Sequence, residues 1–286
     1  MAKFVTIHEV GPRDGLQNEK RVIPTAQKIA LIDTLAGSGL KHIEVGSFVS
    51  PKWVPQMADT PQVLAGVGRA SLQFAVLVPN MRGWEGFLAA RQPDTNYQVA
   101  VFISASEGFS QSNLNCSIAE SIERLAPVLT AARAQGIATR GYVSCVSDCP
   151  FDGPTDPAQV ADTVNKLRAL GDMPISLGDT LGRATPTRIA AMLDAVLRDT
   201  PATALAGHYH DTGGRALANI QVSLDMGLRA FDSAVGGLGG CPYAPNAPGN
   251  VATEAVLAML TGAGFETGID PDVIAKAAQM AKEMRG

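Results

Sequence analysis

Short apolar runs alternate with longer amphipathic stretches from one end of the chain to the other. Residues 4–10 are rich in β-branched positions, as a strand requires, and a polar, glycine-containing loop covers residues 11–20. Pro24 then opens an amphipathic run to Ala36, with Gly37 and Gly39 just beyond it. Proline suits a first helical turn because its missing N–H has no partner there, and glycine suits the exit. Further strands are predicted at 42–45, 72–78, 97–103, 139–146, 175–177, 205–209 and 230–235. The loop 46–56 leads into a helix near 57–65, and longer helices are predicted at 118–134, 158–169, 186–197 and 216–226. A last helix, 271–284, is expected on the outside.

Strands that alternate with helices imply parallel pairing through crossover helices. Eight such units in 286 residues predict a (β/α)8 barrel, a TIM barrel, formed by residues 1–286 as one domain. An open, doubly wound sheet is the alternative. It would gather its polar residues at one switch point, whereas here they follow nearly every strand. In a barrel those positions share the face at the C-terminal ends of the strands, where chemistry is done.

Composition narrows the class. A hydrophobic content of 46% and a charged content of 17% allow a large core and exclude global disorder. The net charge of −4, with Lys and Arg scattered, gives no field for nucleic acid. No apolar run approaches the ~20 residues of a membrane span, and residues 1–7 lack a signal-peptide pattern. Four cysteines without an export signal do not suggest a disulfide framework. A cytoplasmic enzyme is expected, acting on a small molecule.

The candidate chemistry centres on His208 and His210. Alternate side chains of a strand point to one side, about 7 Å apart along it, so both imidazoles can reach a single divalent ion. Barrel closure brings Asp14, which follows the first strand, and Asn250 towards them. A carboxylate, two nitrogens and an amide oxygen suit Mg²⁺ or Mn²⁺. Taken singly, Asp14 could be a turn or cap residue and Asn250 a helix N-cap. Arg13 can hold negative charge developing on an oxygen. Glu44 and Asp179 end apolar strands, where a carboxylate is costly to bury unpaired; they orient ligands or pair with Arg13. Residues 236–242 carry too many glycines for regular structure, so a mobile loop bearing Cys241 is expected over the site. Cys116, Cys145 and Cys149 are read as structural, as are His8 and His42.

Three motifs carry a family resemblance: Gly11-Pro-Arg-Asp-Gly-Leu-Gln-Asn-Glu19, Ile43-Glu-Val-Gly-Ser-Phe-Val-Ser-Pro-Lys-Trp-Val-Pro-Gln-Met57 and Gly237-Leu-Gly-Gly-Cys-Pro-Tyr243. Together with Arg140-Gly-Tyr-Val-Ser-Cys145, Ser176-Leu-Gly-Asp-Thr180 and Gly249-Asn-Val-Ala-Thr-Glu254, the chain resembles 3-hydroxy-3-methylglutaryl-CoA lyases over almost its whole length. The resemblance implies a metal-dependent lyase that splits hydroxymethylglutaryl-CoA into acetyl-CoA and acetoacetate. It further implies Asp14, His208, His210 and Asn250 as ligands of Mg²⁺ or Mn²⁺, Arg13 at the thioester carbonyl and Cys241 acting from the loop, with His208 catalytic as well, doubling as ligand and proton carrier. Glu44 and Asp179 match supporting acids. Gln17, Ser47, Asn113, Tyr142 and Ser176 fall where substrate or CoA is contacted. The expected partner is an acyl-CoA, with a homodimer as the assembly; neither nucleic acid nor membrane is expected.

Two departures stand out. The family usually reads His-Asp-Thr-Tyr-Gly-Gln after the first histidine, whereas this chain reads His210-Asp-Thr-Gly-Gly-Arg215. Arg183 also stands where relatives carry a small or apolar residue. These changes either reshape the substrate end for another 3-hydroxyacyl-CoA or let Arg183 and Arg215 pair with neighbouring acids. A 2-oxo-acid aldolase or acyl-CoA condensing enzyme on the same barrel is the rival activity. A metabolite-binding barrel without turnover is the rival class.

Overall fold

The first strand, β1 (Thr6–Glu9), hydrogen-bonds both to β2 (His42–Ser47) and to the last strand, β8 (Ala230–Ser233), and so closes the sheet. Between them lie β3 (Gln73–Leu77), β4 (Tyr97–Ser104), β5 (Ala138–Ser144), β6 (Ile175–Asp179) and β7 (Leu205–Tyr209), each parallel to its neighbours. The computed structural model describes residues 3–68, 71–240 and 249–285. The closed barrel of eight parallel strands is the (β/α)8 fold predicted from the alternation of apolar runs.

The crossover helices bury one face each. α1 (Thr25–Ala36) turns Leu31, Ile32 and Leu35 inward, and α7 (Pro186–Val196) does so with Ile189, Met192 and Leu193. α5 (Ile118–Ala134) starts on a capping box in which Ser117 and Glu120 satisfy each other's backbone N–H groups. α6 (Pro157–Ala169) starts on the Asp156 side chain, which accepts from the Ala158 N–H. α2 (Thr60–Gly66), α3 (Met81–Ala90), α4 (Glu107–Leu114), α8 (Ala216–Asp225) and α9 (Thr253–Gly262) complete the ring, and α10 (Pro271–Arg285) packs outside α1 and α9. Among the described residues no helix is long and apolar enough to cross a membrane.

Local departures from the sequence expectation bear on the site. The loop after β1 is wound: Gly11–Gly15 form a π-helical turn, with the Val10 carbonyl accepting from both Arg13 and Gly15. That turn throws Arg13 and Asp14 back over the barrel mouth. The predicted helix at 57–65 begins only at Thr60, after a short 3-10 turn at Pro55–Met57. β6 runs on to Asp179, so this residue belongs to the strand end itself. Asn250 is not a helix cap, because α9 starts at Thr253 with Ala252 at its N-cap. It instead forms an antiparallel bridge with His210, reinforced by the Asp211 N–H donating to the Gly249 carbonyl at 2.8 Å.

Candidate active site

His208 and His210 emerge side by side at the end of β7, their rings 5.3 Å apart and both nearly buried. The π-helical turn after β1 carries Asp14 to them. Its Oδ2 lies 3.9 Å from His208 Nε2 and 4.0 Å from His210 Nε2. These gaps are too long for hydrogen bonds. They suit three ligands around one ion, since two ligand atoms each about 2.1 Å from it lie at most about 4.2 Å apart. The one ligand atom offered by each of the three side chains lies within 4.8 Å of the others. Asn250 sits on the same cluster and donates its amide to Asp14 Oδ2 at 2.8 Å and to the Leu238 carbonyl at 3.3 Å. As placed, its nitrogen rather than its oxygen faces Asp14, so ligation through oxygen needs the amide turned.

Charge is arranged to match. The Arg13 guanidinium bridges Asp14 Oδ1 at 2.8 Å and Glu44 Oε2 at 2.7 Å. Burial opposes its charge, but the two carboxylates outweigh that and hold it protonated. Burial likewise works against the Asp14 anion, yet Arg13 and the two histidines draw its pKa down to about 2. Burial, and then the neighbouring His208, lower His210 to about 4. Asp14 is thus an anion and His210 a neutral imidazole at neutral pH, the protonation states a divalent ion requires of them. Burial works against the His208 cation, but Asp232 and Asp14 outweigh it and raise that pKa, so an ion bound there would have to displace a proton.

Beneath this layer lies a residue absent from the sequence reading. Asp232, in the middle of β8 and fully inside the barrel, accepts from Arg140 Nη2 at 2.5 Å and from Ser176 Oγ at 2.7 Å. Its Oδ2 also lies 3.1 Å from His208 Nδ1. Burial disfavours the anion, but Arg140 and His208 more than offset this and hold Asp232 ionised. Glu9, at the end of β1, was missed as well. It accepts from the Gly11 and Val235 N–H groups and from Thr253 Oγ1, tying the first strand to the last. Burial raises its pKa to about 7. The available signal was an acid flanked by apolar strand residues, which must find partners to be buried.

The remaining candidates divide. Glu44 joins Arg13, and Tyr142 donates to Glu44 Oε2 at 3.3 Å from below. Gln17 accepts from Arg13 at 3.5 Å. Asp179 does not pair with Arg13. Its Oδ2 accepts from the Ala184 N–H at 2.9 Å, holding the turn after β6, and burial raises its pKa to about 6. Ser176 is fully buried and directed to Asp232, and the Ser47 hydroxyl accepts from the Val49 N–H. Asn113 is exposed on α4. Cys241 lies outside the described residues. Cys145 adopts a positive φ of 59°, and burial pushes its thiol up to about 12, so it is inert as a nucleophile. His8 and His42 stack at 4.2 Å below the site. Neither Arg183 nor Arg215 forms an ion pair among the described residues. Instead Arg215 folds back, so that a Cβ on Gly213 would lie 3.2 Å from its Nη1 and 3.0 Å from the Gly182 carbonyl oxygen.

A parallel barrel with a carboxylate, two imidazoles and a buried arginine converging at its strand ends has the make-up of a TIM-barrel enzyme. Residues 4–281 match the model of the HMGL-like family, and the chain belongs to that family. It is 51% identical over 280 residues to a 3-hydroxy-3-isohexenylglutaryl-CoA/hydroxy-methylglutaryl-CoA lyase of Pseudomonas aeruginosa, covering 98% of this chain and 92% of that protein. It is 53% identical over 269 residues to the mitochondrial hydroxymethylglutaryl-CoA lyase of Bos taurus, covering 94% of this chain and 82% of that one. The crystal structure of the HMG-CoA lyase from Brucella melitensis superposes with a TM-score of 0.96 at 59% identity, covering 99% of each chain. The chain is a lyase.

Proposed function

We propose that this enzyme cleaves 3-hydroxy-3-methylglutaryl-CoA to acetyl-CoA and acetoacetate, with a divalent cation, Mg²⁺ or Mn²⁺, held by Asp14, His208 and His210 and completed by Asn250. The observation that carries the reading is the convergence of Asp14 Oδ2 on both His Nε2 atoms, 3.9 and 4.0 Å away, with Arg13 bound to the other Asp14 oxygen. Such an ion supplies Lewis acidity, lowering the pKa of a hydroxyl it meets.

In the reaction a general base takes the proton of the tertiary hydroxyl, a carbonyl forms at C3 and the C2–C3 bond breaks. The electron pair passes to C2, giving the acetyl-CoA enolate, and a proton returned to C2 completes the products. Arg13 stabilises the charge that spreads onto the thioester oxygen. Because Glu44 already fixes the guanidinium, little reorganisation is needed as that charge appears. Cys241 is assigned the returned proton by its motif. Asp179 supports the turn after β6, while Gln17, Ser47, Asn113, Tyr142 and Ser176 make up the proposed substrate-binding set. A homodimer in the cytoplasm is the expected form, read by sedimentation and fractionation.

One observation favours a second substrate. Gly213 stands where relatives carry a tyrosine, and the Gly182 carbonyl and Arg215 close in on the position, 3.0 and 3.2 Å from where a Cβ would lie. The exchange of a ring for Gly213 and Arg215 makes a 3-hydroxyacyl-CoA with a longer branch at C3 the second candidate, and the Pseudomonas aeruginosa relative is named for both activities. The deciding experiment assays both thioesters in EDTA, then with Mg²⁺ or Mn²⁺ restored, beside His208→Ala and Cys241→Ala. Metal-restored cleavage, lost in both variants, is expected. Unimpaired turnover in EDTA would overturn the metal-dependent reading.

A further inference from the structure

We propose that Asp232 is a positioning residue that fixes the tautomer of His208, so that Nε2 faces Asp14 with its lone pair free. The inference rests on the metal reading above. The two Asp232 oxygens do separate work. Oδ1 takes the Arg140 guanidinium at 2.5 Å, while Oδ2 meets Ser176 Oγ at 2.7 Å and His208 Nδ1 at 3.1 Å. An ionised carboxylate can only accept. His208 Nδ1 must therefore carry the hydrogen, and Nε2, 3.9 Å from Asp14, is left as the ligand atom. Acids that accept from the second nitrogen of a metal-binding imidazole fix both its orientation and its tautomer. Among the described residues His210 has no such support, since its buried Nδ1 lacks a partner. The pair is thus asymmetric: one imidazole is set in advance and the other adapts.

Arg140 makes the arrangement testable. Guanidinium can only donate, so in Asp232→Asn the amide oxygen stays with Arg140 and the NH₂ group turns to Ser176 and His208. Nδ1 must then accept, and the proton moves to Nε2, where it removes the lone pair. The same logic explains why an Asp-to-Asn change in a serine-protease triad leaves the histidine in the wrong tautomer.

The test compares wild type, Asp232→Asn and Arg140→Met/Asp232→Asn. Mn²⁺ affinity is measured by titration, and the His208 ring pattern of metal-free protein by ¹⁵N-correlated NMR over a pH series, read on the alkaline plateau where the ring has lost its second proton. Asp232→Asn is expected to show the Nε2–H pattern and to bind Mn²⁺ about 10–100-fold more weakly. The double variant frees the amide to present its oxygen, so the Nδ1–H pattern and most of the affinity should return. An unchanged tautomer with Mn²⁺ affinity within about twofold of wild type would reduce Asp232 to a counter-charge for Arg140 and overturn the proposal. Should Asp232→Asn fail to fold, Arg140→Met/Asp232→Asn is compared with Arg140→Met/Asp232→Leu; equal Mn²⁺ affinities there would overturn it equally. A wild-type protein that binds no Mn²⁺ sinks the metal reading instead, and the tautomer pattern still decides the role of Asp232.

Discussion

Arg13 Nη2 and Glu44 Oε2 lie 2.7 Å apart in the barrel mouth, with side chains only 7% and 1% exposed. Removing one member of a buried pair strands the other's charge, at a cost of about 3–5 kcal/mol. Asp14 still accompanies Arg13, so Glu44→Ala should fall at the low end, about 3 kcal/mol by urea unfolding. Arg13→Lys keeps the charge but loses the two-pronged fork. It should retain the fold and lose about 100-fold or more in kcat. If Glu44 acts by holding Arg13, Arg13→Lys/Glu44→Gln should be scarcely worse than Arg13→Lys alone; additive losses in kcat would exclude that coupling.

Stability should carry two opposing pH dependences. Folded Glu9 keeps its proton up to about pH 7, against 4.5 for the free side chain. Between those values the folded state binds more protons than the unfolded chain, so the Glu9 contribution falls as pH rises. Folded His210 titrates at about 4 rather than 6.5, so here the unfolded chain binds more protons and stability rises with pH across that window. Glu9→Gln removes only the falling limb. The stability of the variant relative to wild type, followed by urea unfolding in EDTA, should climb between about pH 4.5 and 7 by at most about 1.4 kcal/mol per unit. A flat difference would mean that Glu9 is not a buried acid of this kind.

Gly249 passes Gly239 backbone against backbone: a Cβ on Gly249 would lie 2.2 Å from the Gly239 carbonyl carbon. No side-chain rearrangement relieves such a contact. Gly239 itself has a φ of 123°, which favours glycine. Gly249→Ala should therefore displace Asn250 from Asp14 while sparing the barrel. The expected signature is a native circular dichroism spectrum with Mn²⁺ affinity and kcat each down by about tenfold or more, the range seen when the groups supporting a metal ligand are disturbed. Wild-type Mn²⁺ affinity in this variant would show that Asn250 needs no such placement.

Gly213→Tyr/Arg215→Gln restores the residues usual in relatives. A Cβ at 213 would lie 3.0 Å from the Gly182 carbonyl oxygen and 3.2 Å from Arg215 Nη1, so the backbone has to give by a few tenths of an ångström and the arginine has to leave for the ring to enter. The double variant should cleave hydroxymethylglutaryl-CoA at close to the wild-type rate. Its kcat/KM for a thioester with a longer C3 branch should fall about 10-fold or more, the scale of discrimination by apolar contacts. An equal change for both substrates would place Gly213 outside the branch pocket.

Legibility from the sequence followed chain geometry. The barrel and the Asp14–His208–His210 cluster could be inferred because strand ends share a face and alternate residues share a side, both local rules. Asn250 was ambiguous because a bridge to His210 and a helix cap look alike until the start of α9 at Thr253 is known. Asp232 was invisible because its partners, Ser176 and Arg140, stand 56 and 92 residues away. Its register opposite His208 depends on the pairing of β8 with β7. Asp179 was misjudged as an alternative partner of Arg13 because its real partner, the Ala184 backbone, carries no sequence signal.

Barrel closure between β1 and β8 has a consequence for biogenesis. The acid of the cluster is made near the beginning of the chain, whereas both imidazoles and Asn250 are synthesised late. A ribosome-bound nascent chain thus exposes Asp14 long before its partners exist. Contacts this distant in sequence form late and slowly. Ion capture can therefore only follow closure, and tight Mn²⁺ uptake would report that the last strand has docked on the first.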